Sequence, residues 1–134
     1  MALEIKKDSI DLGIVVRSAD AMKAFYGETL GLPYQASLDM PGGMKMHRYL
    51  AGSTVVKLLE FTSPPEAAPA PGGLQGGTGY RYFTITVGNL DAAVDEAKAA
   101  GAAVPMGPLA IAPGLRIAMV EDPDGNWVEL LEQE

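Results

Sequence analysis

The sequence predicts an α+β fold built from two βαβββ modules that form a shared cleft. Two observations support this prediction. The same order of strand and helix patterns occurs twice, once on each side of a Pro- and Gly-rich segment at residues 62–79. In addition, "VVKLLEF" at residues 55–61 has a near copy, "WVELLEQ", at residues 127–133. A chain of 134 residues is long enough for one such unit, so we expect a single domain over residues 1–134.

The composition argues against several classes of protein. The formal net charge is -7 and the chain has no run of Lys or Arg, which disfavours nucleic acid or an anionic membrane as a partner. Cysteine is absent, so neither a disulfide nor a thiolate nucleophile is expected. The N-terminus "MALEIKKDSIDLG" lacks the apolar run of a signal peptide, and no stretch approaches the ~20 apolar residues of a membrane span. We therefore expect a cytoplasmic protein.

Module one is predicted over residues 9–61. Its first strand is the apolar stretch "IDLGIVV". A helix follows from Ser18 to Leu30, because apolar residues recur there at helical spacing and Gly31 is suited to end the helix. The remaining three strands are expected at residues 33–38, 44–50 and 54–61.

A linker at residues 62–79 is predicted to separate the modules, because its four prolines and five glycines cannot sustain a helix or a central strand. Module two then covers residues 80–132. Its first strand is "YFTITV", and a helix extends from Asn89 to about Ala100, where Gly101 ends it. The turn "DPDG" joins the last two strands. Three strands are expected after the helix, at residues 103–107, 115–121 and 126–132.

The two modules align by position. Asp11 aligns with Tyr82, 71 residues later, and Lys57 aligns with Glu129, 72 residues later. Each sheet has one face covered by its helix, and we expect the opposite faces to line the cleft. Strand alternation predicts the cleft-lining residues as Asp11, Gly13, Lys45, His47, Tyr49, Lys57, Tyr82, Thr84, Thr86, Arg116, Ala118, Trp127 and Glu129.

The chain resembles the vicinal oxygen chelate superfamily over essentially its whole length. The resemblance lies in "DLGIVVRSADAMKAFYGETLGL", "VGNLDAAVDEAKAAGA" and above all "EDPDGNWVELLE". This superfamily includes glyoxalase I, extradiol dioxygenases, methylmalonyl-CoA epimerases, fosfomycin-resistance enzymes and bleomycin-binding proteins. The resemblance therefore implies the fold more closely than the reaction.

Enzymes of that superfamily usually bind a divalent metal through four positions filled by His, Glu or Gln. The resemblance maps these positions onto Asp11, Lys57, Tyr82 and Glu129, of which only Glu129 matches the usual pattern. An ammonium group offers no lone pair and repels a cation, and a phenol is a poor ligand for hard divalent cations. The resemblance thus implies a lost metal site, and we expect neither a metal nor another cofactor.

Lys57 and Glu129 have two main interpretations. They either form an ion pair that replaces the metal as a strut between modules, supported by hydrogen bonds from Tyr82 and Asp11, or they form a working site. In the working site Lys57 binds an enolate, carboxylate or phenolate oxygen, and Glu129 or His47 moves a proton. A third possibility is that a desolvated and unpaired Lys57 acts as a base or a Schiff-base amine.

Other cleft residues are candidates for catalysis or ligand binding. His47 is the only histidine, and either takes part in proton transfer or is a plain surface or hydrogen-bonding residue. Tyr82 is a further candidate for the catalytic group, and the aromatic rings either stack on a flat ligand or fill the cleft or a dimer interface. The predicted ligand-binding residues are Asp11, Tyr49, Thr84, Arg116 and Trp127.

Two functions follow from these residues. The first, which we favour, is a metal-independent enzyme that carries out proton transfer of the isomerase, lyase or cyclase type on a small oxygenated metabolite. The second is a protein that binds and sequesters a small molecule. A metal-dependent lyase or dioxygenase is less favoured, because the metal ligands are missing. Members of the superfamily commonly dimerise, so we expect a homodimer.

Overall fold

The computed structural model describes residues 2–134, and its architecture confirms the predicted α+β fold with two modules. Each half of the chain forms a four-stranded mixed sheet with a helix. Module one contains β1 (Leu12–Val15), α1 (Ala19–Ala24), β2 (Tyr34–Met40), β3 (Met44–Ala51) and β4 (Thr54–Phe61). Module two contains β5 (Tyr82–Thr86), α2 (Leu90–Ala99), β6 (Met106–Ala112), β7 (Leu115–Glu121) and β8 (Trp127–Gln133).

The two sheets have the same topology. The strand order is β1-β4-β3-β2 in module one and β5-β8-β7-β6 in module two. In each sheet the first and last strands of the module are parallel and the other pairs are antiparallel. Within residues 2–134 no strand of one module pairs with a strand of the other, so the edge strands β1 and β5 do not join the sheets.

The helices and one face of each sheet form a common hydrophobic core. Tyr26 and Leu58 of module one are fully buried in it, together with Leu90 and Val128 of module two. Burying an apolar side chain of this size contributes about 1.5–3 kcal/mol. Because this core lies on the helix-covered face of both sheets, the opposite face of each sheet points away from it, and we call that opposite face the open face.

A buried carboxylate ties the two modules together. The hydroxyl of Tyr26 donates to Asp122 Oδ2 at 2.8 Å, and the backbone N–H groups of Asp124 and Asn126 donate to Oδ1. The Gly125 N–H donates to the Asp122 carbonyl at 3.0 Å, as expected for the turn predicted at "DPDG". Burial raises the pKa of Asp122, and burial followed by the nearby Asp122 charge raises the pKa of Tyr26. These hydrogen bonds offset part of the cost of burying the carboxylate.

The first helix differs from the prediction in its second half. It was expected to run from Ser18 to Leu30, but the α-helix ends at Ala24 and a π-helical turn covers Phe25–Thr29. Gly27 lies in this turn, and a Cβ there would lie 2.8 Å from Cε1 of Tyr49. The absence of a side chain at Gly27 thus allows the wide turn to pack directly against the Tyr49 ring.

Strand β6 is also displaced from its predicted position at residues 103–107. It runs from Met106 to Ala112, and its pairing with β7 is irregular between Met106 and Leu109. Pro108 falls in this interval, and proline has no N–H to contribute to the ladder. The proline and the adjacent Gly107 indicated a loop, whereas the strand continues past them. No helix between residues 2 and 134 is long and apolar enough to cross a lipid bilayer.

Candidate functional site

Lys57 lies at the centre of the open face of module one. Its strand, β4, runs between β1 and β3, so Lys57 has Gly13 on one side and Arg48 on the other. Residues paired in this way point to the same side of a sheet. Gly13 has no side chain, and a Cβ there would contact only Cδ1 of Leu59, at 3.6 Å. The face therefore presents two adjacent cations beside an open position.

Neither cation is neutralised by a neighbouring carboxylate. Among residues 2–134, no Asp or Glu oxygen lies within 4.0 Å of the Lys57 or Arg48 nitrogens. Arg48 donates from Nε to Oε1 of Gln35 at 2.7 Å. Two unneutralised cations side by side on one sheet face repel each other and attract an anion.

Asp11 is occupied by other partners. Its Oδ1 accepts hydrogen bonds from Lys7 Nζ at 2.7 Å and from the Val55 N–H at 2.9 Å. The Lys7 hydrogen bond, then the Val55 hydrogen bond, and to a smaller extent the charge of Lys57 hold the pKa of Asp11 below its usual value. Asp11 thus remains a carboxylate near the Lys57 face without forming an ion pair with Lys57.

Glu129 lies at the equivalent place on the open face of module two. Strand β8 places it between Thr84 of β5 and Met119 of β7. The Thr84 hydroxyl donates to Glu129 Oε1 at 2.8 Å, and the residue is only 9% exposed. Tyr82, which is 47% exposed, lies on the same face two residues before Thr84. The face therefore combines an oriented carboxylate with aromatic and apolar surface.

Trp127 lies on the same open face but is covered by the linker. A Cβ on Gly73 would lie 2.4 Å from Cη2 of Trp127, so the linker backbone rests directly on the indole ring. Arg81 Nε donates to the Gly73 carbonyl at 2.9 Å and holds this segment in place. The indole N–H donates to Glu121 Oε1 at 3.0 Å. The predicted linker is therefore packed against the candidate site.

Three predicted cleft residues lie on the wrong face for that role. His47 pairs with Leu58, and Tyr49 pairs with Val56, so both belong to the helix-covered face of module one. Arg116 lies on the helix-covered face of module two, where it binds Asp91 of α2 with distances of 2.6 and 3.1 Å. The prediction that these three residues line the cleft was wrong, as it was for Lys45 and Ala118.

The error has a physical reason. Strands β3 and β7 carry apolar residues on both faces, so their hydrophobicity does not reveal which face is covered. A usable signal was the two-residue connection Gly52–Ser53, which pairs Ala51 with Thr54 and fixes the register of β3 and β4. That register places Arg48 beside Lys57. Arg48 is the candidate site residue that the sequence prediction missed.

Lys57 and Glu129 are not brought together within one chain. Their strands belong to separate sheets, and no ion pair joins them within 4.0 Å in the described residues 2–134. The direct ion pair that was one interpretation of these residues is therefore not formed in the single chain. Each residue instead lies on the open face of its own module.

The four positions mapped to a metal site do not fit a divalent cation. Lys57 offers no lone pair, and Asp11 already binds Lys7 and Val55. Tyr82 would supply a neutral phenol in place of the usual imidazole or carboxylate. Across residues 2–134, no three His, Asp or Glu side chains lie close enough together to hold a metal ion.

The sequence and the fold define a class of protein. Residues 9–130 match the family model of the Glyoxalase/Bleomycin resistance protein/Dioxygenase superfamily, and the chain belongs to this superfamily. The resemblance found in the sequence is thereby confirmed.

Individual relatives support the same assignment. The uncharacterized protein YwkD of Bacillus subtilis (strain 168) is 32% identical over 126 residues, which span 91% of this chain and 94% of YwkD. A glyoxalase family protein from Bacillus cereus superposes with a TM-score of 0.82 at 20% identity, covering 99% of this chain and 98% of that chain. TnmS3, an antibiotic binding protein from Streptomyces sp. CB03234, superposes with a TM-score of 0.72 at 24% identity, covering 99% and 100%. The two structural likenesses establish the fold alone.

Proposed function

We propose that this protein is a metal-independent enzyme that transfers a proton on a small oxygenated, anionic metabolite, in chemistry of the isomerase, lyase or cyclase type. The observation that carries this proposal is the pair of cations on the open face of module one. Lys57 and Arg48 lie side by side there, and neither has a carboxylate within 4.0 Å among residues 2–134.

Lys57 and Arg48 take the role that a metal has in metal-dependent relatives. Fixed positive groups stabilise negative charge that develops on an enolate or carboxylate oxygen during proton transfer. The space above Gly13 admits the oxygen beside Lys57. Arginine adds a planar fork of donors that suits a carboxylate.

Glu129 is the group that moves the proton. The Thr84 hydroxyl holds one of its oxygens at 2.8 Å, and its position on a strand in the middle of a sheet restricts its motion. A carboxylate that is fixed and largely shielded from water is suited to act as a general base. Tyr82, on the same face, is the nearby group that can donate to a substrate oxygen.

The complete site needs both open faces, and we propose that a second copy of the chain supplies the missing one. In one chain these faces belong to unjoined sheets on opposite sides of a common core. The face with Lys57 and Arg48 is basic, whereas the face with Glu129 and Glu121 is acidic. In a symmetric homodimer, the basic face of one protomer then meets the acidic face of its partner, which forms two equivalent sites.

Hydrogen–deuterium exchange tests the reaction. The protein is incubated in D2O with a panel of small 2-hydroxy and 2-oxo carboxylates, and proton NMR follows loss of the signal next to the carbonyl. We expect exchange with at least one compound, with general-base loss in Glu129→Gln lowering its rate by roughly 10²–10⁴-fold. Lys57→Ala is expected to weaken binding of the same compound.

Lys45→Ala is the matched control, since Lys45 is a lysine of the neighbouring strand that lies on the opposite face of the same sheet. It should exchange protons like the wild type. Elemental analysis of the active protein completes the test: stoichiometric divalent metal, with exchange lost on chelation, would overturn the metal-independent mechanism.

A small-molecule-binding protein is the second candidate. It is favoured by the apolar character of the open face of module two, where Tyr82 is half exposed and Ile117 and Met119 flank Glu129. The structural likeness to the antibiotic binding protein TnmS3 is consistent with this candidate but establishes only the fold. In this case a flat aromatic ligand binds to the wild type and to Glu129→Gln with equal affinity, and no compound of the panel exchanges protons.

A further inference from the structure

A line of hydrogen bonds crosses the helix-covered face of module one, on the other side of the sheet from Lys57. Ser37 of β2 lies opposite His47 of β3, and its Oγ is 2.7 Å from His47 Nδ1. His47 Nε2 is 2.8 Å from Oε1 of Glu60 on β4. Three neighbouring strands thus place a hydroxyl, an imidazole and a carboxylate in sequence.

The donors and acceptors in this line can be assigned by elimination. A carboxylate only accepts hydrogen bonds, so in the neutral imidazole the proton lies on His47 Nε2 and is donated to Glu60. The lone pair of Nδ1 then faces Ser37, whose hydroxyl must be the donor. This is the arrangement that activates a serine: the imidazole accepts the hydroxyl proton, and the carboxylate orients the ring and stabilises its charged form.

The nucleophile in this line is open to solvent while its base is shielded. His47 is 4% exposed, whereas Ser37 is exposed. The hydroxyl of Tyr34 lies 2.7 Å from Ser37 Oγ, and because Ser37 donates to His47, Tyr34 donates to Ser37. Tyr34 is itself 58% exposed and lines a cavity of about 480 Å³ together with Tyr49. A small acyl group therefore has space next to the serine.

We propose that Ser37, His47 and Glu60 form a second active site that catalyses acyl transfer from small esters to water. Ser37 Oγ attacks the ester carbonyl while its proton moves to His47 Nδ1. His47 then gives this proton to the departing alcohol, which leaves an acylated Ser37. A water molecule, deprotonated by His47, releases the acid and restores the serine. Tyr34 is the hydroxyl donor beside the developing oxyanion.

This site is independent of the proposed proton-transfer site. Arg48 and Lys57 point to the open face of module one, whereas the line from Ser37 to Glu60 lies on the helix-covered face. No residue is shared between the two. Substitutions at one site therefore test it without removing a group of the other.

A fluorophosphonate probe tests the nucleophile directly. The probe loses fluoride and forms a covalent bond with an activated serine, which is detected as a mass increase and located by peptide mapping. We expect stoichiometric labelling of Ser37. Ser53 is the matched control, because it is an exposed serine in the turn between β3 and β4 and has no histidine partner among residues 2–134.

Variants of the line separate activation from simple exposure. Ser37→Ala should abolish the labelling, whereas Ser53→Ala should leave it unchanged. His47→Gln and Glu60→Gln should slow labelling by at least 10-fold, with circular dichroism confirming that each variant is folded. Hydrolysis of p-nitrophenyl acetate should fall in the same order. Labelling of Ser37 that is no faster than labelling of Ser53 in the folded wild type would overturn the proposal, even if Ser37→Ala folds poorly.

Discussion

Lys57 and Glu129 occupy equivalent positions on the two open faces, but their neighbours differ. Lys57 lies between Gly13 and Arg48, so module one presents two cations beside an open position. Glu129 lies between Thr84 and a methionine, and the Thr84 hydroxyl binds its carboxylate. Module one therefore offers charge without an internal partner, whereas module two offers a carboxylate that is already oriented.

The difference is confined to one row of residues across the strands. Gly13 aligns with Thr84 and Arg48 with Met119, both 71 residues apart, as Lys57 aligns with Glu129. The backbone pairing around the row is the same in both modules. A repeated scaffold thus supplies two faces of opposite charge, and their complementarity is the basis of the proposed dimer.

Charge reversal at Lys57 should have the largest effect. Lys57→Glu makes the basic face acidic in part, and like charges across an interface cost several kcal/mol, so we expect the dimer to weaken by about 100-fold. Analytical ultracentrifugation measures the change. The double variant Lys57→Glu, Glu129→Lys should recover most of the loss. Equal dimerisation of the wild type and both variants would show that the two faces do not meet.

A side chain at Gly73 should destabilise the cover over Trp127, which module one lacks at the equivalent place. Gly73→Ala places a Cβ 2.4 Å from the indole and requires a positive φ of 63°. We expect a loss of about 2–4 kcal/mol in the free energy of unfolding, combining the strain and the overlap. Urea denaturation followed by circular dichroism measures it. Gly79→Ala is the control, because it has a φ of 96° and no atom within 4 Å, and it should cost less.

Removing the Tyr26 hydroxyl should weaken the clamp that keeps the two open faces on opposite sides. Tyr26→Phe leaves the buried Asp122 with one donor fewer, which costs about 1–3 kcal/mol. The pKa of Asp122 in the folded protein is raised above its ordinary value of 3.8, so the native state binds more protons than the unfolded state between these two values. Its contribution to stability therefore falls as pH rises through that window.

The pH dependence sharpens this prediction. The hydrogen bond from Tyr26 lowers the pKa of Asp122, so its loss raises that pKa further and widens the window. Tyr26→Phe should consequently lose more stability at about pH 7 than at about pH 4, as measured by urea denaturation at both values. An equal loss at the two pH values would show that Asp122 is protonated, or free of the clamp, throughout.

Exchanging the small residue beside Lys57 should have the smallest effect on stability. Gly13 has no positive φ, and only Leu59 lies near a new Cβ, so Gly13→Thr should change the free energy of unfolding by about 0.5 kcal/mol or less. It should nevertheless weaken binding of a carboxylate ligand, since it fills the open position beside Lys57. Isothermal titration with the best compound of the exchange panel measures the affinity. Unchanged affinity would place the ligand elsewhere.

The fold was predictable because its signals are local and occur twice. Strand β4 was predicted at its observed bounds, 54–61, and the repeat assigned the same role to β8. The turn at "DPDG" needs only its own four residues. Each of these signals depends on neighbours in sequence, which a single sequence contains.

The composition of the site was less predictable, because it depends on the register between strands. His47 and Arg48 are adjacent in sequence, and a shift of one position in the pairing of β3 exchanges which of them lies beside Lys57. Alternation favoured His47, and the structure places Arg48 there. The line from Ser37 to Glu60 spans separations of 10 and 13 residues and becomes visible only when three strands are aligned.

The linker over Trp127 provides a built-in optical reporter. Trp127 is the only tryptophan of the chain, so all indole fluorescence arises from one ring on the open face of module two. That ring lies under Gly73 and donates to Glu121, within the face that would meet a partner protomer. Its emission therefore responds to the seating of the linker and to the closure of the dimer, and both can be followed in the unlabelled protein.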